Sequence, residues 1–184
     1  METKNWCGFH INHPIAVIDE FFMWYHIEEV LHFVTDMITY AGSKEKYGKK
    51  STYDLMNIYH AMNSLIIACN NILHDDYILN ELFQIEKTFT KKRKQHMSIQ
   101  KIKLSFKEGF NLYNTENWKY NNRKIMYLAI ESFNEKYGRK LQEIAKVLPN
   151  MILAAAAILE YEAVKNKILL AQQISDNVPQ KQQK

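Results

Sequence analysis

Residues 52–75 read TYDLMNIYHAMNSLIIACNNILHD. Within them Leu55, Ile58, Tyr59, Met62, Leu65, Ile66, Cys69, Ile72 and Leu73 recur three and four apart, the spacing of one face of a helix with 3.6 residues per turn. A half-buried strand would alternate every second residue instead. Ser51 or Thr52 stands where a side-chain oxygen can cap the first turn, and Asp54 complements the positive end of the helix dipole. The spacing predicts a helix from about Thr52 to Asp75.

The same period extends to both sides. From Pro14, well suited to a first helical position, to about Ala41, Phe22, Met23, Val30, Phe33, Val34, Met37 and Ala41 make an apolar face. Glu28, Glu29, His32, Thr35, Asp36 and Thr39 make the opposite one. One helix ending at Gly42 is expected, followed by a polar connection over 43–50. Beyond residue 75, Leu82, Ile85 and Phe89 keep the period, which lapses over residues 90–97 and resumes at Ile99, Ile102, Phe106 and Phe110. Two helices separated by a break at 90–97 are favoured there. The Asn-rich stretch 111–122 reads as a loop. Met126, Ile130, Phe133, Tyr137, Leu141, Ile144 and Leu148 predict a helix over 122–148, stopped or kinked by Pro149. A last helix over 150–172 contains Ala154 to Ala157, small enough for a neighbour to approach closely.

The chain of 184 residues is 47% apolar, with five Gly and three Pro and no Asn-Gly or Asp-Gly pair. A core can therefore form without metal or disulfides, whereas β architectures need more turn residues than are present. The expected fold is all-α: a single-domain bundle of four to six amphipathic helices over residues 1–173, then a disordered polar tail over 174–184. Cys7 and Cys69 fit no CxxC pattern, the first ten residues hold no apolar run, and the longest uninterrupted apolar run is Met151 to Leu159. These features point to free thiols, a cytoplasmic location and no membrane partner.

Charge is divided unevenly. Residues 1–86 carry 5 Lys/Arg against 12 Asp/Glu, whereas residues 87–184 carry 19 against 8. Segment 87–124 alone holds 11 basic residues and two Glu. Lys91, Lys92, Arg93, Lys94, Lys101, Lys103 and Lys107 are therefore the candidate contacts for an anionic partner, either nucleic acid or an acidic protein surface. With only three Arg in the chain, the binding expected is electrostatic docking rather than base reading.

A second expectation concerns Asp19 and His26. Seven residues apart on one long helix, both would lie in the middle of its apolar face, about 10 Å apart along the axis. Buried polar groups require partners, so these two are the candidate lining of a polar pocket for a ligand, metal or substrate. Other patterns fall short. Glu29-Val-Leu-His32 is a single Glu-x-x-His, whereas di-metal bundles use two. His74-Asp75 is similar to the His–Asp pair of HD phosphohydrolases, yet no Asp lies between Asp76 and Asp176 to complete the ligand set. Phosphate loops, Gly-x-Ser-x-Gly and HExxH are absent. The favoured reading is a non-enzymatic binding module with no catalytic residue, cofactor or metal; an enzyme or ligand-binding bundle around Asp19 and His26 is the alternative. Self-association through exposed apolar stripes is a third.

Overall fold

The computed structural model describes residues 13–89, 96–131 and 138–177. Seven helices occupy them: α1 (Pro14–Trp24), α2 (Ile27–Ala41), α3 (Thr52–Leu73), α4 (Asp76–Lys87), α5 (Ile99–Leu112), α6 (Thr115–Glu131) and α7 (Gly138–Asn177). There is no strand among the described residues. The all-helical class agrees with the expectation; the count exceeds four to six.

Helix α3 forms where its stripe predicts. The Ser51 hydroxyl accepts the Asp54 amide at 3.2 Å and donates to the Asp54 carboxylate at 2.7 Å. Leu55, Ala61, Met62, Leu65, Ile66, Cys69 and Ile72 are buried. Asp75 caps α4 by accepting the Ile78 amide, and Ser98 caps α5 by accepting that of Lys101. Each bond satisfies one of the amides that a first turn leaves without an intrahelical acceptor.

Four expectations need correction. The helix expected over 14–41 is two. Tyr25 and His26 are both extended, with φ/ψ of −129°/112° and −62°/140°. Neither Gly nor Pro marks that corner, and the His26 side chain makes no capping bond. The loop expected over 111–122 is helical except at Tyr113 and Asn114, where the Asn114 side chain accepts the Asn117 amide at 2.8 Å. Pro149 does not stop a helix. It lies inside α7, 40 residues and so about 60 Å long. Ala145, whose carbonyl loses its partner to the proline, is exposed, and Asn150 Nδ2 donates to the adjacent Lys146 carbonyl at 3.0 Å. Helix α7 also runs four residues into the stretch expected to be a tail, through Asn177.

Helix α7 is the spine of the bundle, touching α1, α2, α3, α4 and α5. One apolar cluster draws on all seven helices, with Ile18, Phe21, Leu82, Ile102, Phe106, Trp118, Ile144 and Ile158 fully buried. Ala154 and Ala155 are buried without exposed area, and one turn before them the Met151 side chain lies against Gly109 of α5. By length and composition α7 also contains an 18-residue window apolar enough to cross a membrane, with mean hydropathy 1.5; 44% of that window is buried inside the bundle. The connection after α2 is not wholly polar either. Tyr47 is buried, donates its amide to the Ala129 carbonyl at 2.8 Å and meets the rings of Phe33 and Tyr40.

Candidate anion-binding groove

Helix α5 turns Ile99, Ile102, Phe106 and Gly109 inward, each buried. That leaves Lys103 and Lys107, one turn apart, on a flank that meets the carboxyl end of α3. There α3 stops at Leu73, His74 takes the C-cap position, and Asp75 spends its carboxylate on capping α4. The result is a groove of about 510 Å³ lined by Leu73, His74, Lys103, Lys107, Phe110 and Asn111. Its lining combines the apolar Leu73 and Phe110 with two lysines, a histidine and an asparagine, and no carboxylate is among its lining residues. Such a volume falls within the range of small-ligand sites. The carboxyl end of α3 places roughly half a negative charge nearby, which two ammonium groups outweigh.

The structure divides the seven basic candidates. Lys103 and Lys107 come together in the groove. Lys101 is exposed in the first turn of α5, about 200° around the helix from Lys103, and so faces elsewhere. Lys91, Lys92, Arg93 and Lys94 lie outside the described residues, but the residues at either end of that segment are firmly placed. Phe89 and His96 bring their rings to 5.2 Å, and Phe89 stacks on Tyr161 at 4.9 Å. His96 pairs with Glu160. The Tyr161 hydroxyl donates to the Met97 carbonyl at 2.9 Å with Glu86 Oε1 at 3.2 Å, and the same Glu86 oxygen accepts the Ile99 amide at 3.0 Å. Burial, then the negative charge of Glu86, raises the Tyr161 pKa, so the phenol remains a donor. Phe89, His96 and Met97, which flank that segment in sequence, are thus held together against α7.

Arg123 and Lys124, from the same basic segment, line a second groove of about 450 Å³ with Tyr120 and Tyr127, formed by α6 alone. Both tyrosines are more than half exposed. A third, apolar cavity of about 40 Å³ between α2, α3, α6 and α7 is too small for a ligand larger than a few waters.

Asp19 and His26 do not form a buried pocket. Both are exposed: α1 buries Val17, Ile18 and Phe21, which leaves Asp19 on its outer side, and His26 stands at the corner before α2. Asp19 instead faces the α7 side, where its charge and that of Glu81 add to burial in raising the Glu162 pKa, against the lowering effect of Lys165. Lys165 bridges Glu81 at 2.9 Å and Glu162 at 3.8 Å. Glu29 and His32 are exposed as well. Among the described residues no group of three or more His, Cys, Asp or Glu side chains is arranged to hold a metal. Cys69 is buried with its thiol pKa raised by desolvation.

Two groove residues, His74 and Asn111, were not among the sequence candidates for partner binding. The available signal was the pair His74-Asp75: an Asp that caps the following helix makes the preceding residue a corner, and corners expose side chains. Compared with known proteins, the chain matches no family model, no curated protein and no solved structure.

Proposed function

We propose that this chain is a non-enzymatic helical binding module that holds an anionic partner, a nucleic-acid strand in preference to an acidic protein, along the flank of α5. The observation that supports it is the convergence of Lys103, Lys107 and His74 on one groove without a lining carboxylate. The exposed Tyr120 and Tyr127 beside Arg123 favour nucleic acid, since aromatic rings interleaved with cations suit unpaired bases and phosphates. Binding is driven by counterion release.

The test is fluorescence anisotropy of a labelled single-stranded oligonucleotide titrated with the full chain. Affinity should fall by a large factor between about 50 and 200 mM salt. Lys103→Ala and Lys107→Ala should each lower the slope of log affinity against log salt by about one. Absence of a complex at about 50 mM salt defeats the proposal.

A further inference from the structure

We infer that the groove between the end of α3 and the flank of α5 is the seat of a single nucleotide unit, its phosphate on Lys103, Lys107 and His74 and its base against Phe110 and Asn111. This rests on the anion-binding reading and names the ligand class for that site.

The groove is polarised along α5. Lys103 and Lys107 stand one turn apart, about 6 Å of rise, and Phe110 and Asn111 follow within the next turn. Its basic lining residues are the two lysines of α5 and, from the end of α3, a histidine that donates through whichever ring nitrogen carries hydrogen. A terminal phosphate has three acceptor oxygens and takes such a set, whereas a carboxylate has two. Further along α5 Phe110, half-buried, contributes apolar surface to the lining, as does Leu73 from α3. Asn111 is exposed and its amide both donates and accepts, the combination that reads a base edge. Along the helix axis Phe110 lies about 4.5 Å of rise beyond Lys107 and about 10 Å beyond Lys103, a span of the order of one nucleotide unit. An inorganic anion would leave the apolar half of the groove unfilled. An acidic side chain can accept from all three donors but would likewise leave that apolar part unfilled.

Such a unit can be a free mononucleotide or the phosphorylated end of a strand, and the experiment distinguishes them. The full chain is titrated calorimetrically at low salt with adenosine 5′-monophosphate, adenosine and inorganic phosphate. The monophosphate should bind at least about tenfold more tightly than either part. Lys107→Ala should weaken it by about tenfold, the loss of one charge-assisted bond. Asn111→Ala and Phe110→Leu should bring the monophosphate toward the affinity of inorganic phosphate, while leaving inorganic phosphate unchanged. Lys107 and Asn111 are exposed, so those two variants keep the fold, as an unchanged thermal midpoint verifies. A second arm compares an oligothymidylate with and without a 5′-phosphate. A preference for the phosphorylated strand exceeding that for the monophosphate assigns the site to strand ends; the reverse assigns it to free nucleotide.

A monophosphate that binds no better than inorganic phosphate overturns this inference and leaves the anion-binding reading standing. So does monophosphate binding that Lys107→Ala leaves untouched. If the oligonucleotide also fails to bind at low salt, both fall together.

Discussion

Replacing Tyr161 by Phe removes one oxygen and leaves the ring, making it the cleanest probe of the contacts that hold Phe89, His96 and Met97 against α7. Tyr161 is 1% exposed, and its hydroxyl is the donor at 2.9 Å to the Met97 carbonyl, with Glu86 at 3.2 Å. Glu86 retains the Ile99 amide in the variant, so the main loss is at Met97. A hydrogen bond contributes about 1 kcal/mol net, and an acceptor left without a donor costs about 1–3 kcal/mol when water cannot reach it. Met97 is only partly buried, which limits that penalty, and a total near 1.5 kcal/mol follows. With a urea dependence of about 2 kcal/mol per molar, the unfolding midpoint falls by about 0.7 M. Phe in this position still stacks on Phe89, whereas Tyr161→Ala loses the ring and should cost about 3–5 kcal/mol. The assay is equilibrium urea unfolding of the three proteins followed by circular dichroism. A midpoint for Tyr161→Phe equal to that of the unmodified chain refutes the reasoning, because it means the hydroxyl is satisfied equally well by water.

Other perturbations probe separate parts of the same frame. A Cβ at Gly109 would stand 2.1 Å from Met151 Sδ and 2.9 Å from its Cγ. Gly109→Ala should therefore lose about 1 kcal/mol net, an overpacking cost of about 1–3 kcal/mol less the helix-propensity gain of about 1 kcal/mol. The double variant with Met151→Ala should show that this clash no longer adds to the cavity cost, as a double-mutant cycle of urea midpoints will measure. Burial raises the folded-state pKa of Glu162 above its unfolded value. Its contribution is thus most favourable below the unfolded pKa and is lost as the pH rises through the folded one. Glu162→Gln should raise the melting temperature at pH 7, an advantage absent at pH 4 and below; a gain independent of pH would argue against the desolvated carboxylate. Cys69 is buried and kept protonated, so in a Cys7→Ser background a thiol reagent should label the chain only on unfolding, and prompt labelling of the native protein would contradict that burial.

Much of the fold was legible because a helical face repeats an apolar residue often enough to be seen against a polar background. Leu55 to Ile72 is the clearest case: every residue of the stripe there is buried except Tyr59, which is half-buried, and the small Ala61, Ser64 and Ala68 are buried beside it. Junctions were less legible, for a physical reason. The chain leaves α1 at Tyr25 with apolar residues on both sides of the corner, so the period runs through it undisturbed, and neither Gly nor Pro interrupts it. What marks the corner is Glu28 and Glu29, two carboxylates in a first turn, where the dipole favours them. The Asn-rich stretch misled in the opposite sense: Asn114 is a cap and Asn121 is buried within α6, rather than signs of a loop. Pro149 misled because a forty-residue helix packed on five others forgoes one hydrogen bond more readily than it ends. In the site, Lys103 and Lys107 were legible as a charge run, but their partner His74 comes from 29 residues earlier, and only packing of α3 on α5 joins them.

Two of the corners without glycine, Tyr25-His26 and His74-Asp75, have opposite consequences for the site. At the first, Asp19 lies on the outer side of α1 and His26 at the corner itself, so both stand in water, where a continuous helix would have aligned the pair. At the second, Asp75 holds the start of α4, which frees the preceding residue to turn toward α5 and sets a histidine in one groove with two lysines. The difference lies in what each corner meets. The bundle interior consumes mid-helix faces, because each must bury an apolar stripe against a neighbour. Helix ends make no such demand, and where the end of one helix adjoins the polar flank of another, charged groups from distant parts of the chain share a space that stays open. In an all-helical chain whose core is dominated by apolar side chains, with Ser64, Ser105 and Asn121 its buried polar residues among those described, polar chemistry is concentrated at such ends, and at the end of α3 two lysines and a histidine share a groove with Leu73 and Phe110.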